Sequence, residues 1–168
     1  DQPKPVSVYG DSKLKGELAA IENNPTSVII RTSWVYSVHG KNFVKTMMRL
    51  MRDRPEISVV NDQHGSPTWA ADLASFIMHV IGYDNWQPGV YNFSNDGNIT
   101  WYDFANEIKK LISADCKINP IPTSDYPTPA KRPANSLMSK AKIKASFAYT
   151  PIDWKVSLKN CIQALSKG

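Results

Sequence analysis

The stretch YGDSKLKGELAAIE–NNPT–SVIIR, residues 9 to 31, decides the fold class, because it predicts a helix, a turn and a strand in succession. Leu14, Leu18 and Ile21 recur at helical spacing in the first segment and predict one apolar helix face. The asparagines and proline of the second segment end the helix. The third segment is rich in β-branched residues and predicts a short buried strand.

The same alternation continues to the end of the chain. Further helices are predicted at residues 42–54, 68–81, 139–145 and 153–166, another from Thr100 to Leu111, and further strands at 57–60, 90–93 and 117–121. Asp103 follows Thr100 at capping-box spacing, which supports a helix start there. Helices that alternate with strands favour an α/β architecture with a largely parallel sheet, formed by residues 1–168 as a single domain.

One segment departs from this alternation. Residues 120–133 include five prolines. Because proline lacks the backbone N–H that a helix needs, this segment is predicted not to be helical. A long loop of this kind often carries function.

Length and composition are those of an ordinary water-soluble protein. The 168 residues suffice for one core, with 42% hydrophobic and 21% charged residues. No apolar run approaches the roughly 20 residues that a membrane span needs, and the start has no signal-peptide core. Cys116 and Cys161 are too few for a disulfide framework or a zinc site. These features predict a cytoplasmic, reduced protein with no membrane partner.

The net charge of +5 is distributed unevenly. From Lys131 onward there are eight lysines and arginines and one acidic residue, Asp153, so this part carries +7 and the first 130 residues carry −2. A basic tail can bind nucleic acid. These lysines are scattered, however, and few aromatic residues alternate with them. A solvated helix face is therefore favoured over a nucleic-acid partner, and one or two of the cations could instead meet a substrate phosphate.

Tyr9 and Lys13 are the residues that could carry chemistry. Positions four apart share one helix face, so the phenol and the ammonium are predicted to be neighbours. A free tyrosine has a pKa of about 10, and a nearby cation lowers it. Such a tyrosine can donate a proton to a carbonyl oxygen that receives hydride at its carbon. The spacing also arises by chance, and the alternative is an exposed tyrosine over a solvated lysine.

Two other kinds of site have no pattern in the sequence. No glycine-rich turn of the Gly-x-Gly-x-x-Gly kind follows a strand, so the phosphate cradle of a dinucleotide fold is not encoded here. His39, His64 and His79 do not form a metal-ligand spacing, and no metal site is predicted from them. His79 is predicted to be structural or exposed, and His64 to be at most a neighbour of a substrate.

Five segments resemble, in order and with matching spacing, the dTDP-4-dehydrorhamnose reductase family of extended short-chain dehydrogenases. They are residues 8–17, 29–36, 42–47, 59–68 and 126–134. The resemblance implies the C-terminal part of a Rossmann-like fold, with flanking helices and a small substrate-binding subdomain. It also implies reduction of the C4 ketone of dTDP-4-dehydro-L-rhamnose by NADPH or NADH, in the synthesis of an activated sugar for bacterial surface polysaccharide.

The resemblance assigns a role to several residues. Tyr9 would protonate the C4 oxygen, and Lys13 would lower the pKa of Tyr9 and hold the nicotinamide ribose. Arg31, Thr32 and Ser33 would line the nicotinamide side of the cleft. The family's third catalytic residue, a serine or threonine, would precede residue 1, together with the dinucleotide-binding N-terminal half and its glycine-rich loop.

The nucleotide-sugar pocket is assigned in the same way. Trp34 would face the sugar, although a core tryptophan is the alternative, and Arg132 would meet the diphosphate unless it is an ordinary solvated surface residue. The residues implied to border the pocket are Asn42, Gln63, Ser66, Pro67 and Thr68. The resemblance further implies a magnesium ion at a subunit interface.

Three other interpretations stay open at the level of sequence. One is a related nucleotide-sugar epimerase or reductase. Another is a non-catalytic binding protein, since the regulatory subunit of methionine adenosyltransferase resembles the same family. In the third, the chain is a piece of a longer protein, with little or no activity of its own. Its exposed sheet edge would then favour a homodimer.

Overall fold

The computed structural model describes residues 3–128 and 132–167. The helices are α1 Val8–Asn23, α2 Phe43–Asp53, α3 Ala70–Ile81, α4 Trp101–Leu111, α5 Ala141–Phe147 and α6 Trp154–Leu165. The strands are β1 Val28–Thr32, β2 Val35–Tyr36, β3 Glu56–Val60, β4 His64–Gly65, β5 Thr68–Trp69, β6 Gly89–Phe93, β7 Ile99–Thr100 and β8 Lys117–Ile121. None of these helices is long and apolar enough to cross a membrane.

The strands associate in pairs. β1 pairs with β6, β2 with β5 and β3 with β8, all parallel, whereas β4 and β7 are antiparallel. Parallel neighbours need a crossover connection, and helices supply it here, which confirms the predicted α/β class. Within residues 3–128 and 132–167, however, these pairs are four separate two-stranded sheets and not one continuous sheet.

The larger core lies between α2, α4, α6 and the β3–β8 pair. Each helix turns one apolar face inward, as its 3.6-residue period requires. Its buried residues include Val44, Met47 and Met51 of α2, Phe104, Ala105 and Ile108 of α4, and Leu158, Cys161 and Ile162 of α6. This packing fixes the positions of α2 and α4, and the first residues of both helices shape the site described below.

A second core covers the β1–β6 pair. Phe76 of α3 stacks on Phe93 of β6, with ring centroids 4.9 Å apart. Ile143 and Phe147 of α5 complete this core and are fully buried. Phe147 precedes Ala148, whose left-handed φ of 50° ends α5 and turns the chain toward α6.

Helix α1 forms where it is predicted but is not buried as predicted. Ser7 caps it by accepting a hydrogen bond from the Gly10 N–H at 3.1 Å. None of its residues is fully buried, and Leu18, one of three predicted apolar-face residues, is 56% exposed. The spacing of apolar residues identified the helix correctly, but no described element packs over the side that carries Leu18.

Two helix boundaries and several short elements differ from the predictions. Thr68–Trp69 is a strand and not the first turn of a helix, because it pairs with β2 and α3 begins only at Ala70. The helix predicted at 139–145 begins two residues later, at Ala141. The short strands β2, β4 and β7 were not predicted, since two residues are too few for an alternating pattern. The proline-rich segment includes one turn of 3₁₀ helix, Thr123–Asp125, without the longer helix that its prolines exclude.

The predicted capping box is confirmed. The Thr100 hydroxyl accepts from the Asp103 N–H at 3.1 Å, while the Asp103 carboxylate accepts from the Thr100 N–H at 2.9 Å. Both groups satisfy N–H donors that the first turn of a helix leaves without partners. The box fixes the start of α4 and therefore the position of Trp101 in its first turn.

Candidate functional site

A tight bend after β1 positions Trp34. Its φ is 49°, a left-handed conformation that side chains other than glycine seldom adopt. The bend sets the Trp34 indole on the Trp101 ring, with centroids 3.6 Å apart and planes 12° apart. A Cβ on Gly65 would lie 2.6 Å from Trp34 Cε2, so the residue beneath the ring has to be glycine.

An open cavity of about 550 Å³ lies beside these stacked tryptophans. Its aromatic wall consists of Trp34, Phe43, Trp101 and Tyr126, and Tyr126 is 55% exposed. Phe43 is the first residue of α2, and its ring centroid lies 4.6 Å from that of Trp101. The cavity is thus shaped by the starts of α2 and α4 together with the loop after β8, and its volume and aromatic lining suit a small-molecule ligand.

The charged residues of the cavity are two arginines. Arg54 is the C-cap of α2, and Arg132 comes from the loop after β8. Among the described residues that line the cavity there is no aspartate or glutamate. Guanidinium groups offer a planar fork of donors that matches phosphate oxygens, so the lining favours an anionic ligand with an aromatic part.

The loop after β8 is attached to the segment after β3 by Thr123. Its N–H donates to both carboxylate oxygens of Asp62, at 2.9 and 3.0 Å, and its hydroxyl donates to the same group at 2.5 Å. These hydrogen bonds hold the pKa of the Asp62 carboxyl below its ordinary value. The same hydroxyl accepts from Gln63 Nε2 at 3.1 Å. Gln63 is thereby oriented at the cavity wall, where the resemblance assigns it.

The other residues of the predicted 63–68 border form the frame under the cavity. Ser66, Pro67 and Thr68 are buried and do not line the cavity. The Ser33 hydroxyl donates to the Ser66 carbonyl at 3.1 Å, and the hydroxyls of Thr32 and Thr68 lie 3.2 Å apart. The Ser66 hydroxyl in turn donates to the carbonyl of Gly97. These contacts join the end of β1 to β5, and the binding roles of these residues stay predictions.

Asn42 caps a helix. Its Oδ1 accepts from the Lys45 N–H at 3.2 Å, and its Nδ2 donates to the Ser37 carbonyl at 2.7 Å. The side chain is used at the start of α2 and does not line the cavity. Asn42 therefore positions Phe43, and its predicted contact with a nucleotide sugar stays a prediction.

Tyr9 and Lys13 share one face of α1, as their spacing predicts. The Lys13 ammonium lies 5.2 Å from the centroid of the Tyr9 ring, within the range of a cation–π contact. Tyr9 is 71% exposed, and neither side chain lines the described cavity. The pair is thus accessible to a ligand from solvent, and its proton-transfer role stays a prediction.

Arg31 is paired with α1. Its Nε donates to Glu17 Oε2 at 2.7 Å and its Nη2 to Glu17 Oε1 at 2.6 Å. The hydrogen bond with Glu17 raises the pKa of Arg31 above its ordinary value. The guanidinium predicted to line the nicotinamide side is therefore committed to the helix that carries Tyr9 and Lys13.

Sequence reasoning missed Arg54 and placed Trp101 in a core. Arg54 ends a predicted helix, and nothing in the local pattern distinguishes it from the neighbouring arginines 49 and 52. Trp101 lies at a core-face position of the fourth predicted helix, but the structure places it between the core and the cavity. Their roles depend on the approach of α2 to α4, which no local signal reveals.

The described residues do not form a candidate metal site. Among the residues that the structure describes, no group of three or more His, Cys, Asp or Glu side chains could hold a metal ion. These residues therefore give no support for the magnesium ion that the resemblance implies. The ring of His79 lies 2.8 Å from the Phe147 carbonyl, which agrees with its predicted structural role. Residues 129–131 of the fifth resembling segment lie outside the described residues.

The fold, with parallel strand pairs, flanking helices and a Tyr-x-x-x-Lys helix, is that of the substrate-binding part of extended short-chain dehydrogenases. The chain belongs to the RmlD substrate-binding domain family, whose model matches residues 1–167.

Several of its curated relatives share one name. A curated protein named dTDP-4-dehydrorhamnose reductase, from Escherichia coli (strain K12), is 42% identical over 174 residues, covering 98% of this chain and 58% of that protein. A crystal structure of a dTDP-4-dehydrorhamnose reductase from Clostridium acetobutylicum is 40% identical with a TM-score of 0.94, covering 99% of this chain and 58% of that one.

A second crystal structure is that of the enzyme of the same name from Bacillus anthracis in complex with NADP. It is 35% identical with a TM-score of 0.91, over 98% of this chain and 57% of that one. The chain thus spans less than three fifths of the length of these relatives.

Proposed function

We propose that the protein to which this chain belongs is a reductase of a nucleotide-linked keto-sugar, dTDP-4-dehydro-L-rhamnose, with NADPH or NADH as the hydride donor. The observation that carries this proposal is the cavity, where an aromatic wall lies beside two arginines without a described acidic neighbour. A nucleoside diphosphate sugar has a flat base, a doubly charged diphosphate and a polar sugar, and this lining has a partner for each.

The binding of the substrate divides between these features. The exposed Tyr126 ring and the stacked Trp34–Trp101 pair offer flat apolar surfaces to the base and the sugar. Arg54 and Arg132 offer two donor forks to the diphosphate. Charge-assisted hydrogen bonds of this kind are roughly twice as strong as neutral ones, so the arginines hold the nucleotide while the aromatic wall sets its orientation.

Proton transfer belongs to α1 in this proposal. The Tyr9 hydroxyl donates its proton to the C4 oxygen of the sugar, and the Lys13 ammonium beside the ring stabilises the phenolate that forms. General acid catalysis of this kind contributes typically 10²- to 10⁴-fold to a rate. The exposure of both groups leaves them free to meet a ligand that also occupies the cavity.

The residues present fit only the nicotinamide end of the cofactor. Lys13 has three N–H donors and Tyr9 has a hydroxyl, and both are accessible and can bind ribose hydroxyls. The glycine-rich loop that holds the diphosphate of a dinucleotide is not encoded among the 168 residues. NADPH supplies hydride when it is bound, and the structure of the Bacillus anthracis relative in complex with NADP supports this choice of cofactor.

The proposal has two further parts. We place the full-length enzyme in the cytoplasm. For the isolated chain we propose a homodimer, since within the described residues β1 pairs with β6 on one edge and its other edge has no strand partner. Open strand edges favour association with another chain.

The test is an assay of the full-length protein with purified keto-sugars. Loss of NADPH absorbance with dTDP-4-dehydro-L-rhamnose, and formation of dTDP-rhamnose by mass spectrometry, is the expected result. UDP- and GDP-linked keto-sugars serve as comparison substrates, because a related epimerase or reductase would prefer one of them. Absence of turnover with the dTDP-linked sugar, in a protein that binds NADPH, would refute the proposed function.

A further inference from the structure

The attachment of α1 to the rest of the chain is unusually slight. None of its residues is fully buried, and its inward side consists of half-buried residues, among them Leu14 and Ile21. Within the described residues, rotation of this helix about its axis or sliding along it would therefore cost few apolar contacts. Yet this is the helix on which the proposed function places its proton donor.

One polar contact opposes these movements. Among the described residues, the pair between Glu17 and Arg31 is the one side-chain hydrogen-bonding contact that joins α1 to another element. The other side-chain bonds of α1 stay within the helix or its cap, as in the exposed Asp11–Lys15 pair at 2.9 Å. The Glu17 side chain is 11% exposed, so its carboxylate is largely shielded from competing water.

The geometry of this pair restricts both movements. Two parallel N–H···O bonds of 2.6 and 2.7 Å hold the planar guanidinium and the carboxylate in one relative orientation. Arg31 belongs to β1, whose backbone is fixed by its pairing with β6 at the Arg31↔Asn92 register. The pair therefore fixes the orientation of the Glu17 carboxylate and its position along the helix axis relative to β1.

The position of Glu17 relates this attachment to the proposed chemistry. Tyr9, Lys13 and Glu17 are spaced by four residues, so they follow one stripe of the helix. At 1.5 Å per residue, Glu17 lies about 12 Å along the axis from Tyr9. If α1 turned by one residue, about 100°, the stripe would face a different direction. The pair therefore sets the direction in which the phenol and the ammonium point.

We infer that Glu17 and Arg31 are positioning residues for the Tyr9–Lys13 pair, an inference that rests on the proposed function. They do not touch the substrate in this account. They fix the rotation and height of α1 on β1, so that the Tyr9 hydroxyl meets the ketone oxygen at hydrogen-bonding distance. A misplacement of about 1 Å at such a contact can cost on the order of 100-fold in rate.

The test compares three variants of the full-length protein. Glu17→Gln keeps the size of the side chain and removes its charge, and Arg31→Lys keeps the charge and removes the fork. Lys15→Gln is the matched control, because it removes the exposed ion pair within the same helix. Hydrogen exchange of the α1 amides is expected to accelerate in the first two variants, with exchange in β3 and β8 unchanged, and to stay at the wild-type rate in Lys15→Gln.

The kinetic measurement separates positioning from a loss of folded protein. In Glu17→Gln we expect kcat to fall by about tenfold or more, while KM for the nucleotide sugar changes less than twofold, since the cavity does not include α1. The solvent deuterium isotope effect on kcat is expected to rise, because proton transfer from a displaced donor becomes slower. That effect is a ratio within one preparation, so a smaller active fraction does not change it.

The outcomes distinguish the two proposals. A wild-type protein without reductase activity refutes the proposed function and the positioning role with it. An active wild type whose Glu17→Gln variant keeps its kcat and isotope effect refutes the positioning role alone. Unchanged exchange of the α1 amides in that variant refutes it as well, because the attachment of the helix would then not depend on the pair.

Discussion

Tyr9 is a residue whose proposed role can be separated from stability. A side chain that is 71% exposed contributes little packing, so its hydroxyl can be removed without affecting the core. The same holds for Lys13, which is exposed and whose ammonium lies over the Tyr9 ring. At the scale of single residues, this exposure makes the pair testable by substitution.

Tyr9→Phe is expected to lower kcat of the full-length protein by about 10²- to 10⁴-fold, the usual contribution of a general acid. The melting temperature is expected to stay within about one degree, because an exposed hydroxyl has no buried partner to lose. Tyr102→Phe is the control, since Tyr102 lies on α4 and does not line the cavity. A Tyr9→Phe enzyme with wild-type kcat would contradict the general-acid role.

A second prediction for single residues concerns Arg54 and Arg132 and the affinity of the chain for dTDP. Replacement of either by Gln is expected to weaken the binding of dTDP to the chain by roughly 10- to 100-fold, the loss of one charged hydrogen-bonding group at about 1.5–3 kcal/mol. Isothermal titration calorimetry measures the affinity. Arg49→Gln removes a neighbouring arginine that does not line the cavity, and it should bind dTDP like the wild type.

Cys161 is expected to make the free energy of unfolding depend on pH. Burial raises the pKa of its thiol to about 11. Between the ordinary thiol pKa of about 8.5 and this value, the unfolded chain releases a proton that the folded chain keeps. Stability therefore falls as the pH rises above about 8.5, by roughly 1 kcal/mol at pH 9.5. Urea unfolding at pH 7.5 and 9.5 measures the difference, which should be smaller in Cys161→Ala.

At the scale of elements, a buried polar network joins α3, α6 and the loop after β6. The Nδ2 of Asn95 donates to Asp72 Oδ2 at 2.6 Å and lies 2.9 Å from the Ser157 hydroxyl, which itself donates to Asp72 at 2.5 Å. The Oδ1 of Asn95 accepts from the Trp69 N–H at 2.8 Å. These side chains are almost completely buried, so each bond has to be satisfied within the protein.

Asn95→Ala is accordingly expected to destabilise the chain by about 2–4 kcal/mol, because it leaves a buried carboxylate and a buried N–H short of partners. Denaturant unfolding gives the change in the free energy of unfolding. Asn92→Ala is the matched control. Its Nδ2 makes one exposed bond with the Ser139 carbonyl at 3.2 Å, and its loss should cost less than about 1 kcal/mol. Equal losses in both variants would contradict a special role for the network.

At the scale of the whole molecule, this chain contains the proposed substrate cavity but does not encode the diphosphate-binding loop of the cofactor. The described residues line the cavity with aromatic rings and two arginines, whereas the glycine-rich loop for a dinucleotide is not encoded in the chain. The chain covers 58% of each of two relatives, so more than a third of each relative has no counterpart in it. Binding of the nucleotide part and reduction are therefore separable properties.

The isolated 168-residue chain is expected to bind dTDP but to reduce the keto-sugar with NADPH slowly or not at all. Calorimetry measures the first property and loss of NADPH absorbance the second. The full-length protein, which we expect to carry the dinucleotide site, is the positive control. Robust turnover by the isolated chain would contradict the prediction.

The sequence by itself determined the features that depend on near neighbours in the chain. The helix that carries Tyr9 and Lys13 and the capping box at Thr100 were predicted correctly, because apolar period and cap chemistry act over about four residues. The resemblance supplied the family through motifs that keep their order and spacing, and the family model confirms it.

Only the tertiary structure decided which residues meet. It placed Arg54 and Trp101 at the cavity, used Asn42 as a helix cap, and paired Arg31 with Glu17. It also left Leu18 exposed, although its spacing predicted burial. The reason is that burial and contact depend on the packing of elements distant in the chain, as α2 and α4 are, and local sequence carries no record of that approach.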